Sequence, residues 1–116
     1  MGAAKLNLKV EQGVTYRHIL QLKALGVIFD LSSYTARMQM RKNVNSPVVL
    51  LNITSNAGDG ITIDGATGVL TLVISATQTG ALLANSAVYD LEIESSGGEV
   101  TRVVQGTVAI SKQVTR

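Results

Sequence analysis

The sequence has no cysteine and no tryptophan, one proline, and only three tyrosines and one phenylalanine among its 116 residues. The absence of cysteine excludes disulfides, thiolate metal sites and a cysteine nucleophile, so the redox state of the compartment does not matter to the chain. Hydrophobic residues make up 46% of the chain and aromatics 3%, so the core has to be built from Val, Ile, Leu and Ala. Few rings are left on which bases or sugars could stack, which disfavours single-stranded nucleic acid as a partner. The formal net charge of +2 is likewise too small to mark a nucleic-acid binder. No apolar run approaches the roughly 18 residues that a spanning helix requires, and a soluble chain without a membrane partner is expected. The opening Met1-Gly2-Ala3-Ala4-Lys5 has no apolar stretch of the secretory kind, and Leu6 stands where a myristoylation site carries Ser or Thr. The length suits one domain spanning residues 1–116.

What the sequence does have is alternation, the period of a strand with one wet face and one dry face. Leu6, Leu8 and Val10 alternate with Lys5, Asn7, Lys9 and Glu11. After Gly13, Val14, Tyr16, His18, Leu20 and Leu22 alternate with Thr15, Arg17, Ile19, Gln21 and Lys23. Tyr34, Ala36, Met38 and Met40 form one face of the next strand, with Thr35, Arg37, Gln39 and Arg41 on the other. Asn43 to Pro47 reads as a loop and Val48 to Ile53 as a strand. Ile61–Asp64 and Val69–Ile74, joined by Gly-Ala-Thr-Gly, read as a hairpin whose second strand is apolar enough for burial on both faces. Ser75 to Leu83 is the one helical candidate, of about one turn, with Ser75 or Thr77 as its cap. Val88 to Glu94 and Glu99 to Ser111 form a last hairpin, in which Gly106 leaves room for a bulge or a close neighbour.

Seven or eight short strands with no covering helix predict an all-β fold, an immunoglobulin-like antiparallel β-sandwich; missing crossover helices exclude a parallel α/β sheet. Leu82, a short loop and then Tyr89 opening a strand match the tyrosine corner of such sandwiches, in which the hydroxyl bonds a backbone group a few residues upstream. The opening strand, through Leu6, Leu8 and Val10, and the long closing strand are expected at sheet edges, where unpaired backbone favours association with another chain. Removing residues up to Lys9 is therefore expected to impair assembly more than folding.

No constellation of catalytic residues stands out, and no catalytic, cofactor-binding or metal-binding residue is assigned. His18, the only histidine, reads as a half-buried structural residue, since it has no nucleophile patterned beside it. Asn56, Asp59 and Asp64 offer oxygen atoms, but their spacing suits turns better than a calcium loop. Asp90, Glu92 and Glu94 line the wet face of one strand, where nothing raises a carboxyl pKa for acid catalysis and Arg102 on the adjoining strand can neutralise them. Gly58-Asp59-Gly60 and Ser96-Gly97-Gly98 lack the strand-to-helix setting of a phosphate cradle, and Arg37, Arg41 and Lys42 make only a modest basic row.

The order of the motifs carries a resemblance. Val10-Glu11-Gln12-Gly13 before an alternating strand is followed by Phe29-Asp30-Leu31-Ser32-Ser33-Tyr34-Thr35-Ala36-Arg37-Met38-Gln39-Met40-Arg41. Then come Gly60-Ile61-Thr62, Val88-Tyr89-Asp90-Leu91-Glu92 and Gly98-Glu99-Val100-Thr101-Arg102. This pattern resembles small tailed-bacteriophage proteins encoded among tail and fibre genes, and is similar to the amino-terminal domain of phage baseplate upper proteins. The resemblance implies a non-enzymatic virion structural protein, a docking module of the tail, baseplate or head-to-tail and fibre attachment region, without cofactors. Its partners would be other virion proteins and further copies of itself in a homo-oligomer, and its location the virion, after synthesis in the host cytoplasm. The chain stops at Arg116 where the baseplate proteins continue into a stalk and receptor-binding parts, so attachment rather than host binding is expected. A capsid decoration or head-fibre base protein is the alternative. A virion-surface carbohydrate-binding module, which would need Tyr16 or Tyr34 exposed beside a groove, is a further one.

Overall fold

The computed structural model of the protein describes residues 3–116. The alternating segments become strands β1 (Ala4–Lys5), β2 (Leu8–Glu11), β3 (Tyr16–Gln21), β4 (Lys23–Ala24), β5 (Val27–Ile28), β6 (Thr35–Arg41), β7 (Leu51–Thr54), β8 (Ile61–Asp64) and β9 (Val69–Ile74). A single helical turn α1 (Ala76–Gly80) then leads to β10 (Ser86–Glu94) and β11 (Val100–Ser111). The larger sheet runs β1-β11-β10-β6-β7, with β2 also on β11; the smaller runs β3-β9-β8, and β4 and β5 form a separate hairpin. The all-β class matches the alternation. Eleven strands among the described residues, several of only two or four residues, subdivide the chain more finely than the seven or eight expected.

The two sheets face each other across one aliphatic core. Ala36, Met38 and Met40 of β6 and Ala87, Leu91 and Ile93 of β10 meet Ile61, Leu70, Leu72 and Ile74 of the smaller sheet, all at most 4% exposed. Tyr89 is the only ring among the buried core residues, as a chain so poor in aromatics requires. The Asp30-Leu31-Ser32 motif feeds β6. The Asp30 carboxylate accepts the Ser32 backbone N–H at 2.8 Å and its hydroxyl at 2.5 Å, bonds that hold its pKa below the ordinary value. This turn drops Leu31 into the core at 1% exposure. Ser75 caps α1 through a reciprocal box with Gln78.

Several expectations are corrected. The sandwich is mixed rather than wholly antiparallel, because β1 and β2 both lie parallel to β11. The closing strand β11 is consequently interior, flanked by β10 on one side and by β1 and β2 on the other, so that of these two strands the opening one alone lies at an edge. Residues Val69 to Ile74 alternate between buried and half-buried, so one face of β9 is only partly covered. β7 begins at Leu51, leaving Val48 and Val49 in an exposed loop. Of the two readings of Gly106, the close neighbour is the one found, with the Leu6 carbonyl against it, while the β10–β11 register shifts between Leu91 and Glu92, which leaves Val103 and Val104 buried in succession.

Candidate functional site

The opening strand is built into the sheet by a clasp of four residues. Ala4 pairs with Val104, Lys5 with Gln105, and Leu8 through Glu11 with Val108 through Ser111, so β1 and β2 are one strand in constant register, interrupted only at Leu6 and Asn7. The Leu6 N–H still donates to the Gln105 carbonyl at 2.9 Å. In a regular parallel ladder the Leu6 carbonyl would accept the Thr107 N–H. Here the Asn7 side-chain oxygen takes that N–H at 3.1 Å, and the Leu6 carbonyl turns to accept the Tyr89 hydroxyl at 2.6 Å. Gly106 makes the crossing possible, since a Cβ there would lie 2.2 Å from the Leu6 oxygen.

This geometry corrects the tyrosine-corner expectation. Tyr89 is buried and its hydroxyl does bond a backbone carbonyl, but that carbonyl belongs to the opening strand, 83 positions away, not to the loop just upstream. Leu82 is a buried core residue. Its loop is tied down by other groups: Gln12 donates to the Leu82 carbonyl at 3.1 Å, Ile110 N–H donates to Asn85, and the Lys112 ammonium reaches the Leu83 carbonyl. Of the proposed edge residues, Leu8 and Val10 point into the core at 3% and 1% exposure, and Leu6 is partly buried against it.

Burial first, and the charge of an ionised Tyr16 second, push the Tyr89 phenol up to about 12. An unfolded tyrosine titrates near 10. The folded protein thus holds this proton more tightly than the unfolded chain, so the contribution to stability is complete below pH 10 and declines as the pH rises from 10 towards 12. Tyr89→Phe is expected to cost about 1 kcal/mol at neutral pH through the lost hydrogen bond. It should also flatten the alkaline decline, as measured by urea unfolding across that window; parallel pH curves for the two proteins would contradict this.

The outer face of the larger sheet is charged and internally paired. Arg37 on β6 contacts Glu92 at 2.9 Å and Glu94 at 3.3 Å, and Arg102 on β11 contacts Asp90 at 3.3 Å. The row of carboxylates is therefore neutralised from both neighbouring strands, with Arg37 taking two of the three and Arg102 one. An open depression of about 730 Å³ beside them is lined by groups of both signs, among them Lys5, Arg41, Asp90 and Arg102. Exposed pairs of this kind contribute little to stability.

The remaining singled-out residues are dispersed. His18 is half-buried and stacks on Tyr16, with ring centroids 6.3 Å apart and planes 11° apart. Asp59 accepts the Thr54 hydroxyl at 2.5 Å and its N–H donates to the Asn56 carbonyl, a turn, while Asp64 sits on β8. Among the described residues no group of three His, Asp or Glu gathers as metal ligands. Tyr34 borders an open groove of about 570 Å³ with Ser32, Ser55, Asn56 and Thr62, but its ring is half-buried and packs edge-on against Phe29 at 5.6 Å. Sequence reading missed the partnership of Tyr89, Leu6, Asn7 and Gly106, whose members lie up to 100 positions apart. A glycine inside a strand was its one local signal.

No protein-family model matches the chain, and no curated protein matches it by sequence. Among solved structures, the chain is similar to the N-terminal domain of phage TP901-1 ORF48. The TM-score is 0.60 and the identity 10%, with 96% of this chain and 98% of that domain covered. At that identity the shared property is the fold.

Proposed function

We propose that the protein is a non-enzymatic structural component of a bacteriophage virion, a docking module of the tail, baseplate or fibre attachment region that contacts other virion proteins. The observation that carries this reading is the whole-length likeness to a phage domain, which leaves no segment of either chain unaccounted for beyond a few residues. The surface is in keeping with it: the carboxylates are held by arginines, and the opening strand is fixed so that a rigid face is presented. Docking would then use apolar patches with polar rims. A capsid decoration or head-fibre base would use the same fold at another place in the particle.

Mass spectrometry of purified particles from the source phage, followed by cryo-electron microscopy, tests the proposal. The expected result is the chain at fixed stoichiometry, with density for the sandwich at the tail or baseplate. Density on the capsid would favour the alternative, and absence of the chain from purified particles would overturn both. The carbohydrate reading rests on Tyr34 alone, and glycan-array binding abolished by Tyr34→Ala would be needed to establish it.

A further inference from the structure

The free edges of the two sheets are not equally protected. On the larger sheet the β1–β2 edge is kinked at Leu6 and Asn7 and carries Lys5, Lys9 and Glu11 on exposed positions, features that discourage strand addition. The smaller sheet ends on one side at the four-residue β8, next to which Gly60 is bridged to Thr54, and on the other at β3, which among the described residues pairs with β9 alone and has no proline or register shift along Tyr16–Gln21. The Leu22 N–H donates to the Gly68 carbonyl at 2.8 Å, continuing the register in which Leu20 pairs with Leu70. That bond fixes the parity. Tyr16, His18 and Leu20 direct their backbone groups at β9, so Arg17, Ile19 and Gln21 direct theirs away from the sheet. The β4–β5 hairpin does not cover them, because the Phe29 N–H donates to the Leu22 carbonyl and so folds β5 towards the β9 side.

The same stretch shows an apolar centre on the outer face. Ile19 is 62% exposed, and Val69, Thr71 and Val73 beside it are half-buried. The charges of this face, Arg17 and Asp64, lie at its margins.

We propose that β3 is a homodimerisation edge, on which a second copy of this chain adds its own β3 antiparallel about a two-fold axis at Ile19. Antiparallel partners must share a face, and outward-directed groups must meet outward-directed groups, so only registers centred on a single residue are allowed. Centring on Arg17 opposes two arginines, and centring on Leu20 sets Arg17 against Lys23 of the other copy. Centring on His18 puts two histidines face to face. Centring on Ile19 stacks the two exposed isoleucines and sets Arg17 opposite an uncharged Gln21, with about six backbone hydrogen bonds across the seam. At this register the edge matches itself, with exposed Ile19 against exposed Ile19 and no like charges opposed, which is why a second copy of the chain is the occupant. The two three-stranded sheets become one. This holds wherever the protein resides in a particle.

The absence of cysteine makes the test clean, since Ile19→Cys introduces a single thiol. Across such an axis the two Cα atoms lie about 5.5 Å apart, within reach of a disulfide. Mild oxidation of the Ile19→Cys protein is expected to yield covalent dimer at least about tenfold faster than oxidation of a Lys9→Cys protein, which samples the β2 edge. Light scattering should show the unmodified chain passing from monomer to dimer as concentration rises. Ile19→Lys should weaken that dimer by about tenfold or more, and Gln21→Glu, which faces Arg17 of the second copy, should tighten it. A chain that stays monomeric into the millimolar range, equal cross-linking rates for the two variants, or faster cross-linking of Lys9→Cys would each overturn the proposal.

Discussion

Deletion of residues 1–9 is expected to leave the chain unable to keep its fold, not merely to weaken its contacts with other proteins. Leu8 is 3% exposed and would be lost, and Val10, at 1%, would lose the strand that holds it in place. Full burial of such side chains contributes roughly 1.5–3 kcal/mol each. The same cut strands the Tyr89 hydroxyl without its acceptor, a further cost of about 1–3 kcal/mol for a buried donor. Together these losses approach the total stability of about 5–15 kcal/mol expected of a domain this size. Urea titration followed by circular dichroism should show a transition shifted far towards zero denaturant, or none. The sequence pattern alone suggested the reverse, that assembly would suffer before folding. A truncated protein with an unchanged urea midpoint would restore that view and make the opening strand a detachable arm.

Why the pattern misled at this strand, and served well elsewhere, follows from the range over which each interaction acts. The faces of β6 and β10, the single helical turn after β9, with Ser75 one of its two candidate caps, and the hairpin β8–β9 are set by periods and turn residues within about ten positions, and all are legible. Alternation places Leu8 and Val10 on the buried face of a strand, as found, although Leu6 falls at its interruption, and period 2 does not say which strand is its neighbour or in what direction. A parallel partner 100 positions away leaves no local mark, and so β11, the longest strand, reads as an edge in the sequence although it is covered on both sides. Tyr89 illustrates the same limit. Its burial and the need of its hydroxyl for a partner are properties of the residue type, but the identity of that partner depends on where a distant carbonyl arrives. The exposed edge at β3 was hidden for a further reason: Ile19 sits at a polar position of the alternation, where a single apolar residue on a wet face is ordinarily unremarkable.

Gly106→Ala is expected to destabilise the protein by about 3 kcal/mol, an unusual cost for the addition of one methyl group. In most strands the change would help, because alanine loses less backbone entropy than glycine. Here the new Cβ would stand 2.2 Å from the Leu6 oxygen and 2.8 Å from its carbonyl carbon, which are backbone atoms that cannot rotate aside. The opening strand has to move out, and two consequences follow. Overpacking of this kind costs about 1–3 kcal/mol. Movement of the Leu6 carbonyl also breaks the bond from Tyr89, worth about 1 kcal/mol. For a domain of this length the melting temperature should fall by roughly 10 °C. Gly97→Ala is the control, since its added Cβ meets nothing closer than the Ser95 hydroxyl at 3.9 Å, and it should shift stability little. The decisive measurement is the double variant. Because Gly106→Ala and Tyr89→Phe act through the same carbonyl, their combined cost should fall short of the sum by about 1 kcal/mol. Strict additivity would mean that the glycine and the tyrosine hold the opening strand independently, and that the clasp is not a single unit.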